Sequence, residues 1–410
     1  MPKEPFDLRA IAVGAYGPSL LYGVATGAIL PVIALTARDL GADIATAALV
    51  VALSGVGSLL TNIPATVLTI RFGERRALVG AALWLSAAMF LALAAPSLPV
   101  FAGAVFMVGM AGAVFGLARQ SYLTEAVPHR FRARALSTLG GVTRIGVFAG
   151  PFLAAVAMRE LGLHGAYWVG AVAGLAAAAL SRRVPELGMP GRAAASSLGA
   201  VLSAPAAPTV RSLLRSHARV FLTVGAGVLL IAAVRATRQA VLPLWAENIG
   251  LEGSATALIY GVSGAIDMLV FYPAGMVMDA RGRRWVAVPC MVIMASALIL
   301  LPFAADAVGL LLVALLIGLG NGIGSGIVMT LGADFSPSPG RARFLGIWRL
   351  LTDVGTMGGP ALLSVVTAVA TLSAGIWATA VLGFLGAAIL WYWIPRAAPA
   401  SGRYEATGTR

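Results

Sequence analysis

Apolar stretches long enough to cross a bilayer recur along this chain, each closed by charge, glycine or proline. They run near residues 11–35, 44–68, 77–95, 99–123, 135–158 and 164–180, and again near 218–244, 256–278, 285–304, 308–331, 344–371 and 375–394. A membrane helix needs about 20 apolar residues, and runs of this length without strand alternation predict helices. Between the two sets, residues 181–217 turn rich in Arg, Ser, Ala and Pro, which predicts a linker with a short interfacial helix around residues 210–217. The pattern predicts an all-α membrane protein of twelve transmembrane helices in two six-helix bundles. The expected divisions are a first bundle over 1–180, a cytoplasmic linker over 181–217, a second bundle over 218–396 and a cytoplasmic tail over 397–410. The basic start MPKEPFDLRA resembles a signal peptide, but the apolar run continues to about Thr36, which is too long for one and predicts an uncleaved first helix.

Composition agrees with lipid as the solvent. Apolar residues make up 59% of the 410, charged residues only 11%, and the mean hydropathy is +0.91; soluble domains carry about 25% charge. The net charge of +13 would suggest nucleic acid in a soluble protein. Sorting the 29 basic residues by span removes that reading. With both termini in the cytoplasm, Arg38 and Arg159 alone fall outside, Arg119, Arg144, Arg235, Arg238 and Arg349 lie within spans, and the rest are cytoplasmic. This is the positive-inside asymmetry of an integral inner-membrane protein, and no nucleic-acid partner is needed to explain the charge. A single cysteine, Cys290, in an apolar run excludes disulfides and cysteine-based metal cages. His129, His164 and His217 show no metal-ligand spacing, so neither metal nor cofactor is expected.

The two halves repeat. Arg132 to Pro151 (RARALSTLGGVTRIGVFAGP) aligns without gaps on Arg341 to Pro360 (RARFLGIWRLLTDVGTMGGP), 209 residues later. At the same offset PATVLTIRFGERR falls on PAGMVMDARGRRW, and Glu125 and Pro128 fall on Asp334 and Pro337. One offset shared by three places predicts two parallel, pseudosymmetric halves.

These residues resemble the major facilitator superfamily of secondary transporters, over nearly the whole chain. That family's loop signature, glycine, three residues, aspartate, a basic residue, any residue, glycine and further basic residues, is matched between spans 8 and 9 by Gly275, Asp279, Gly282, Arg283 and Arg284, with Ala280 at the first basic position. Between spans 2 and 3 it is degraded: Thr66 stands for the glycine and Ile70 for the aspartate, leaving Arg71, Gly73, Arg75 and Arg76. The family's fifth-span motif is present as Gly146, Gly150 and Pro151, echoed in span 11 by Gly355, Gly359 and Pro360. The resemblance implies two bundles that rock about a central site and a loop cluster that latches one conformation. An asymmetric latch centred on Asp279 is therefore expected, with Arg283, Arg132 or Arg134, or a helix N-terminus as its partner. Glycines four apart before a proline permit close helix approach and a kink, which would serve either as a bearing surface between bundles or as ordinary packing. The glycines from Gly318 to Gly326 match no nucleotide fingerprint and predict close packing or a cavity wall.

Ionisable groups inside spans are costly and are therefore candidates for function. At 1.5 Å per residue, Arg144 and Asp353 lie roughly 13 Å in from the cytoplasmic side, at equivalent places of the repeat, which predicts that they face each other across a cavity. Arg235 and Asp267 reach roughly 14 and 16 Å from the outer side, which predicts a salt bridge between spans 7 and 8, with Arg238 nearly a turn beyond. Arg119 is expected to snorkel or to pair with Glu125, and Arg349 is left between structural and functional roles. Tyr16, Tyr22, Asn62, Gln120, Gln239, Trp245 and Asn321 add polar or aromatic candidates. Asp267 and Asp353 are the only carboxylates within spans and thus the proton-coupling candidates, Asp353 more so if Asp267 is held by an arginine. The absence of P-loop, nucleophile-elbow and zinc-protease motifs argues against a pump or enzyme. The functional expectation is alternating-access transport of a small molecule by a monomer surrounded by lipid, first as proton-coupled efflux of drugs or metabolites. Movement of an organic anion is the alternative, because buried arginine exceeds buried aspartate, and a non-transporting sensor is the third reading.

Overall fold

A computed structural model of the chain describes residues 8–127, 132–185, 210–337 and 340–397. Pro128, His129, Arg130, most of the linker and the tail after residue 397 lie outside the described residues, as do the side chains of Arg132 and Arg134. Twelve helical spans are present among the described residues. The first bundle holds α1, in two pieces (Leu8–Ile29 and Ile33–Asp39), α2 (Ile44–Phe72), α3 (Glu74–Leu93), α4 (Leu98–Ala126), α5 (Arg132–Leu161) and α6 (His164–Ser181). A short helix at Val210–Ser216 precedes the second bundle, as the sequence predicts. That bundle holds α7 (Ala218–Asn248), α8 (Gly253–Arg281), α9 (Arg284–Leu300), α10 in two pieces (Ala307–Ile323 and Ile327–Phe335), α11 (Arg341–Val369) and α12 (Leu372–Ala397). Eleven of the twelve are long and apolar enough to cross a membrane; α6, 18 residues long and led by a histidine, falls just below.

The helices overrun the apolar stretches by about a turn at several ends, because the backbone keeps its hydrogen bonds into the polar interface. Two spans expected to be continuous are broken. Pro31 interrupts α1 at residues 30–32, where it can offer no N–H to the helix. In α10 the chain turns at Gly324–Gly326, with Gly326 at φ +85°, a conformation open to glycine and costly for other residues. Polar backbone freed at such breaks is tolerated in a membrane only against protein or a cavity.

The repeat is visible in the helix ends themselves: Ile44–Phe72 recurs as Gly253–Arg281 and Leu98–Ala126 as Ala307–Phe335, each 209 residues on. Packing repeats as well. Gly146 and Gly150 seat α5 on α1, where a Cβ on Gly150 would lie 2.5 Å from the Ala28 nitrogen. Gly355 and Gly359 seat α11 on α7 against Leu229, Ala232 and Ala233. Both glycine motifs thus seat helices within a bundle, in line with the ordinary-packing alternative. They act there because lipid drives no helix pairing through the hydrophobic effect, so close van der Waals approach must supply it. The seams between bundles are α2 with α11 and α5 with α8. Their contacts are repeat-related: Gly55 meets Met357 in one, and Gly264 meets Phe148 in the other. Outward-facing side chains such as Ile63, Leu222 and Val369 are more than three-quarters exposed, as lipid permits.

Candidate functional site

Asp267 occupies the midpoint of α8 and gathers side chains from three other helices. Its carboxylate accepts a hydrogen bond from Asn321 Nδ2 of α10 at 2.5 Å, lies 3.5 Å from Arg144 Nη1 of α5 and 3.9 Å from Arg238 Nη1 of α7. Close approach of α10 makes this possible: a Cβ on Gly322 would lie 2.9 Å from the Asp267 Cα, and Gly318 sits on Ser263 one turn earlier. Arg144 also stacks on the Phe271 ring, 4.7 Å from its centre, and Arg238 lies 5.3 Å from the Tyr260 ring. Arg144 comes from the first bundle and Asp267 from the second, so this ion pair crosses the seam.

The expected partners are rearranged. Arg235 does not bridge Asp267; its Nη2 donates to the Asn321 carbonyl at 2.7 Å and its Nε is buried with no hydrogen-bond partner among the described residues. Three residues along a helix turn a side chain by about 60° from its predecessor, so Arg238 reaches the carboxylate while Arg235 is aimed at α10. Arg144 does not face Asp353 either. Asp353 accepts from Asn62 Nδ2 of α2 at 2.5 Å, across the opposite seam. The repeat nevertheless governs both contacts, because Arg144 and Asp353 are equivalent positions and their partners Phe271 and Asn62 are too. Each seam carries the same geometry with opposite charge.

Arg119 donates to Thr143 Oγ1 at 2.6 Å and does not pair with Glu125. Together with Arg144, Arg238, Tyr260 and Asp267 it lines a cavity of about 350 Å³ at the α5–α8 seam. Among the described residues Tyr260 Oη and Arg238 Nη1 are buried with no hydrogen bond, Arg238 Nη1 having only its 3.9 Å ion pair to Asp267. Each such atom is costly unless a ligand or water satisfies it. Tyr22, stacked on Phe115 at 3.9 Å, likewise buries a hydroxyl with no hydrogen-bond partner among the described residues. Sequence reasoning missed Thr143, Tyr260 and Phe271, and only the last carried a signal, as the repeat mate of Asn62. Arg349 is exposed, and Trp245 is buried with Nε1 donating to the Ala304 carbonyl at 2.9 Å.

In the loop cluster, the expected alternative partners of Asp279, Arg132 and Arg134, have side chains outside the described residues. Arg283 forks onto both oxygens of Asp334 at the end of α10, at 2.7 and 3.3 Å, while Asp279 is exposed. The hydrogen bond to Asp334 raises the Arg283 guanidinium above its ordinary range. Glu74, the repeat mate of Arg283, accepts from Ser121 of α4 at 2.9 Å, so each loop ties to its own bundle. Gly275 has open space around it, and Gly282 (φ +92°) ends α8. At the far end, away from the termini, Arg38 meets Glu247 at 3.0 Å and joins the bundles. These two are also repeat mates, of opposite charge, and a search for such pairs at offset 209 would have found them. There Gly253 packs on Leu163 and Met158.

The family model of the Major Facilitator Superfamily matches residues 19–271 and 224–409. A D-xylose-proton symporter has the same fold, at 17% identity and TM-score 0.73, over 95% of this chain and 98% of that one. So does a POT family transporter in complex with 5-aminolevulinic acid, at 11% identity and TM-score 0.76, over 97% and 98%. The inward open xylose transporter XylE from E. coli matches at 16% identity and TM-score 0.71, over 95% and 97%. No curated protein matches the sequence. Twelve helices in two repeat-related bundles and a family match running through both halves agree, and the chain belongs to the Major Facilitator Superfamily.

Proposed function

We propose that this protein is a secondary transporter of small organic anions, moved by alternating access through the cavity at the α5–α8 seam. The observation that carries the reading is the charge of that cavity, where Arg119, Arg144 and Arg238 face a single carboxylate, Asp267. An uncompensated cation in low dielectric is expensive, and a bound anion offsets the cost. Tyr260 Oη and Arg238 Nη1 supply donors that a carboxylate or phosphate could take up. The bundles join at the far end through Arg38 and Glu247, while the loop ties at the other end stay within bundles, so we read the cavity as serving the side of the termini. The excess of arginine at that end supports a cytoplasmic placement in a cell membrane.

A second reading, proton-coupled efflux of a drug or metabolite, draws on Asp353. It lies apart from the arginine cluster on the α2–α11 seam and receives one hydrogen bond, from Asn62, so its proton load can couple to seam opening. Both readings are tested by flux in proteoliposomes under an imposed pH gradient, with organic anions beside lipophilic cations. Saturable anion movement that Arg144→Gln abolishes supports the anion reading. Cation movement that discharges the gradient, with anions inert, overturns it in favour of the second.

A further inference from the structure

A second concavity lies on the outer surface of the first bundle, away from the transport cavity. Helices α2 and α3 both pack along α4 but hardly on each other, so a groove of about 410 Å³ opens between them with α4 beneath. Ala77, Ala81 and Ala111 leave it deep, and the half-exposed Phe72 and Trp84 stand at its two ends. A Cβ on Gly80 meets no atom within 4 Å, so the space above that residue is open. From Arg76 to Trp84 the groove follows α3 for about 12 Å, the scale of part of an acyl chain.

Its one charged lining residue is Arg76, at the end nearest the termini. Arg76 is exposed and makes no hydrogen bond or ion pair among the described residues. The carboxylate two residues before it, Glu74, is engaged by Ser121, and the position where the loop signature has its aspartate is Ile70. Arg71 lies over the Phe72 ring at 5.6 Å, which brings a second cation to the same mouth. The second bundle provides an internal control. At the equivalent positions, Arg76 becomes Trp285, Gly80 becomes Pro289 and Ala81 becomes Cys290, so the cation is gone and larger groups stand where the opening would be. Fold symmetry alone therefore does not produce this feature.

We propose that the α2–α3 groove binds one anionic phospholipid from the leaflet on the side of the termini, with an acyl chain along α4 and the phosphate on Arg76. Any lipid fills an apolar groove; the arginines select the headgroup. A basic side chain at the surface of an anionic leaflet contributes about 1 kcal/mol, which is about fivefold in preference.

The test uses the full chain in phosphatidylcholine vesicles holding increasing fractions of phosphatidylglycerol with brominated acyl chains. Bromine quenches nearby tryptophan, and the contribution of Trp84 is the difference between the wild type and Trp84→Phe. Half-quenching of Trp84 is expected at about fivefold lower fractions of brominated phosphatidylglycerol than of brominated phosphatidylcholine. Arg76→Gln removes that difference, and Gly80→Leu, whose Cβ meets no atom within 4 Å and whose side chain occupies the opening, weakens quenching by both lipids. Equal quenching by the two lipids in the wild type, or an unchanged preference in Arg76→Gln, overturns the proposal. So does suppression of the preference by glycerophosphoglycerol without chains, because the site would then take a soluble anion.

Discussion

Replacing Asp267 with Asn tests the core of the site. The carboxylate faces Arg144 at 3.5 Å and Arg238 at 3.9 Å, so at an effective dielectric of about 20 each Coulomb attraction is roughly 4–5 kcal/mol before desolvation. Most of that is offset by the cost of taking the ions from water, but truncation leaves the arginines without their counter-charge, which costs about 3–5 kcal/mol at buried sites. Arg144 is one-third exposed to the cavity, so the lower end of that range applies. Asn keeps the shape, and its amide oxygen can still accept from Asn321. The measurement is a double-mutant cycle of Arg144→Gln and Asp267→Asn by denaturant unfolding in detergent. The double variant should be less destabilised than the sum of the singles, by about 1–3 kcal/mol. An anionic ligand should then stabilise Asp267→Asn more than the wild type, since it restores the missing charge. Additivity within about 0.5 kcal/mol, together with equal ligand-induced shifts, would refute the idea that this ion pair organises an anion site.

Asp353→Asn should abolish accumulation driven by a pH gradient while sparing exchange across equal pH; full coupling in the variant would remove Asp353 as the proton carrier. The Arg38–Glu247 pair is about one-third exposed, so its rupture by Arg38→Ala should shift the closed state by at most about 1 kcal/mol, or fivefold. Labelling of Asn248→Cys in a Cys290→Ala background from the far side should rise by no more than that factor, and no rise would deny the pair a gating role. Asp334→Asn should loosen the α8–α9 loop and lower transport more than Asp279→Ala, because Arg283 is bound to Asp334; the reverse order would restore Asp279 as the latch. At the N-cap of α2, hydrogen bonds from Thr46 hold the Asp43 carboxylate below its usual range, so the cap is intact above the ordinary aspartate range and is lost as pH falls through its lowered value. Proteolysis near residue 43 should rise on acidification in the wild type and be pH-independent in Asp43→Ala.

The twelve spans, the linker helix and the repeat could be read from the chain because each depends on a one-dimensional property, the preference of successive residues for lipid or water. The costly residues within spans could be listed for the same reason, and five of the six proposed site residues, Arg144, Arg235, Arg238, Asp267 and Asn321, do converge. Their pairing was decided by tertiary structure. Repeat mates meet only where their helices approach the pseudosymmetry axis, as at Arg38 and Glu247; α5 and α11 lie on opposite seams, so Arg144 and Asp353 never face each other. Depth along a helix placed Arg235 level with Asp267, but rotation about the helix axis gave the contact to Arg238. Both outcomes turn on which helix faces meet, and glycine contacts such as Gly322 on Asp267 set those faces through backbone approach that no hydropathy pattern records.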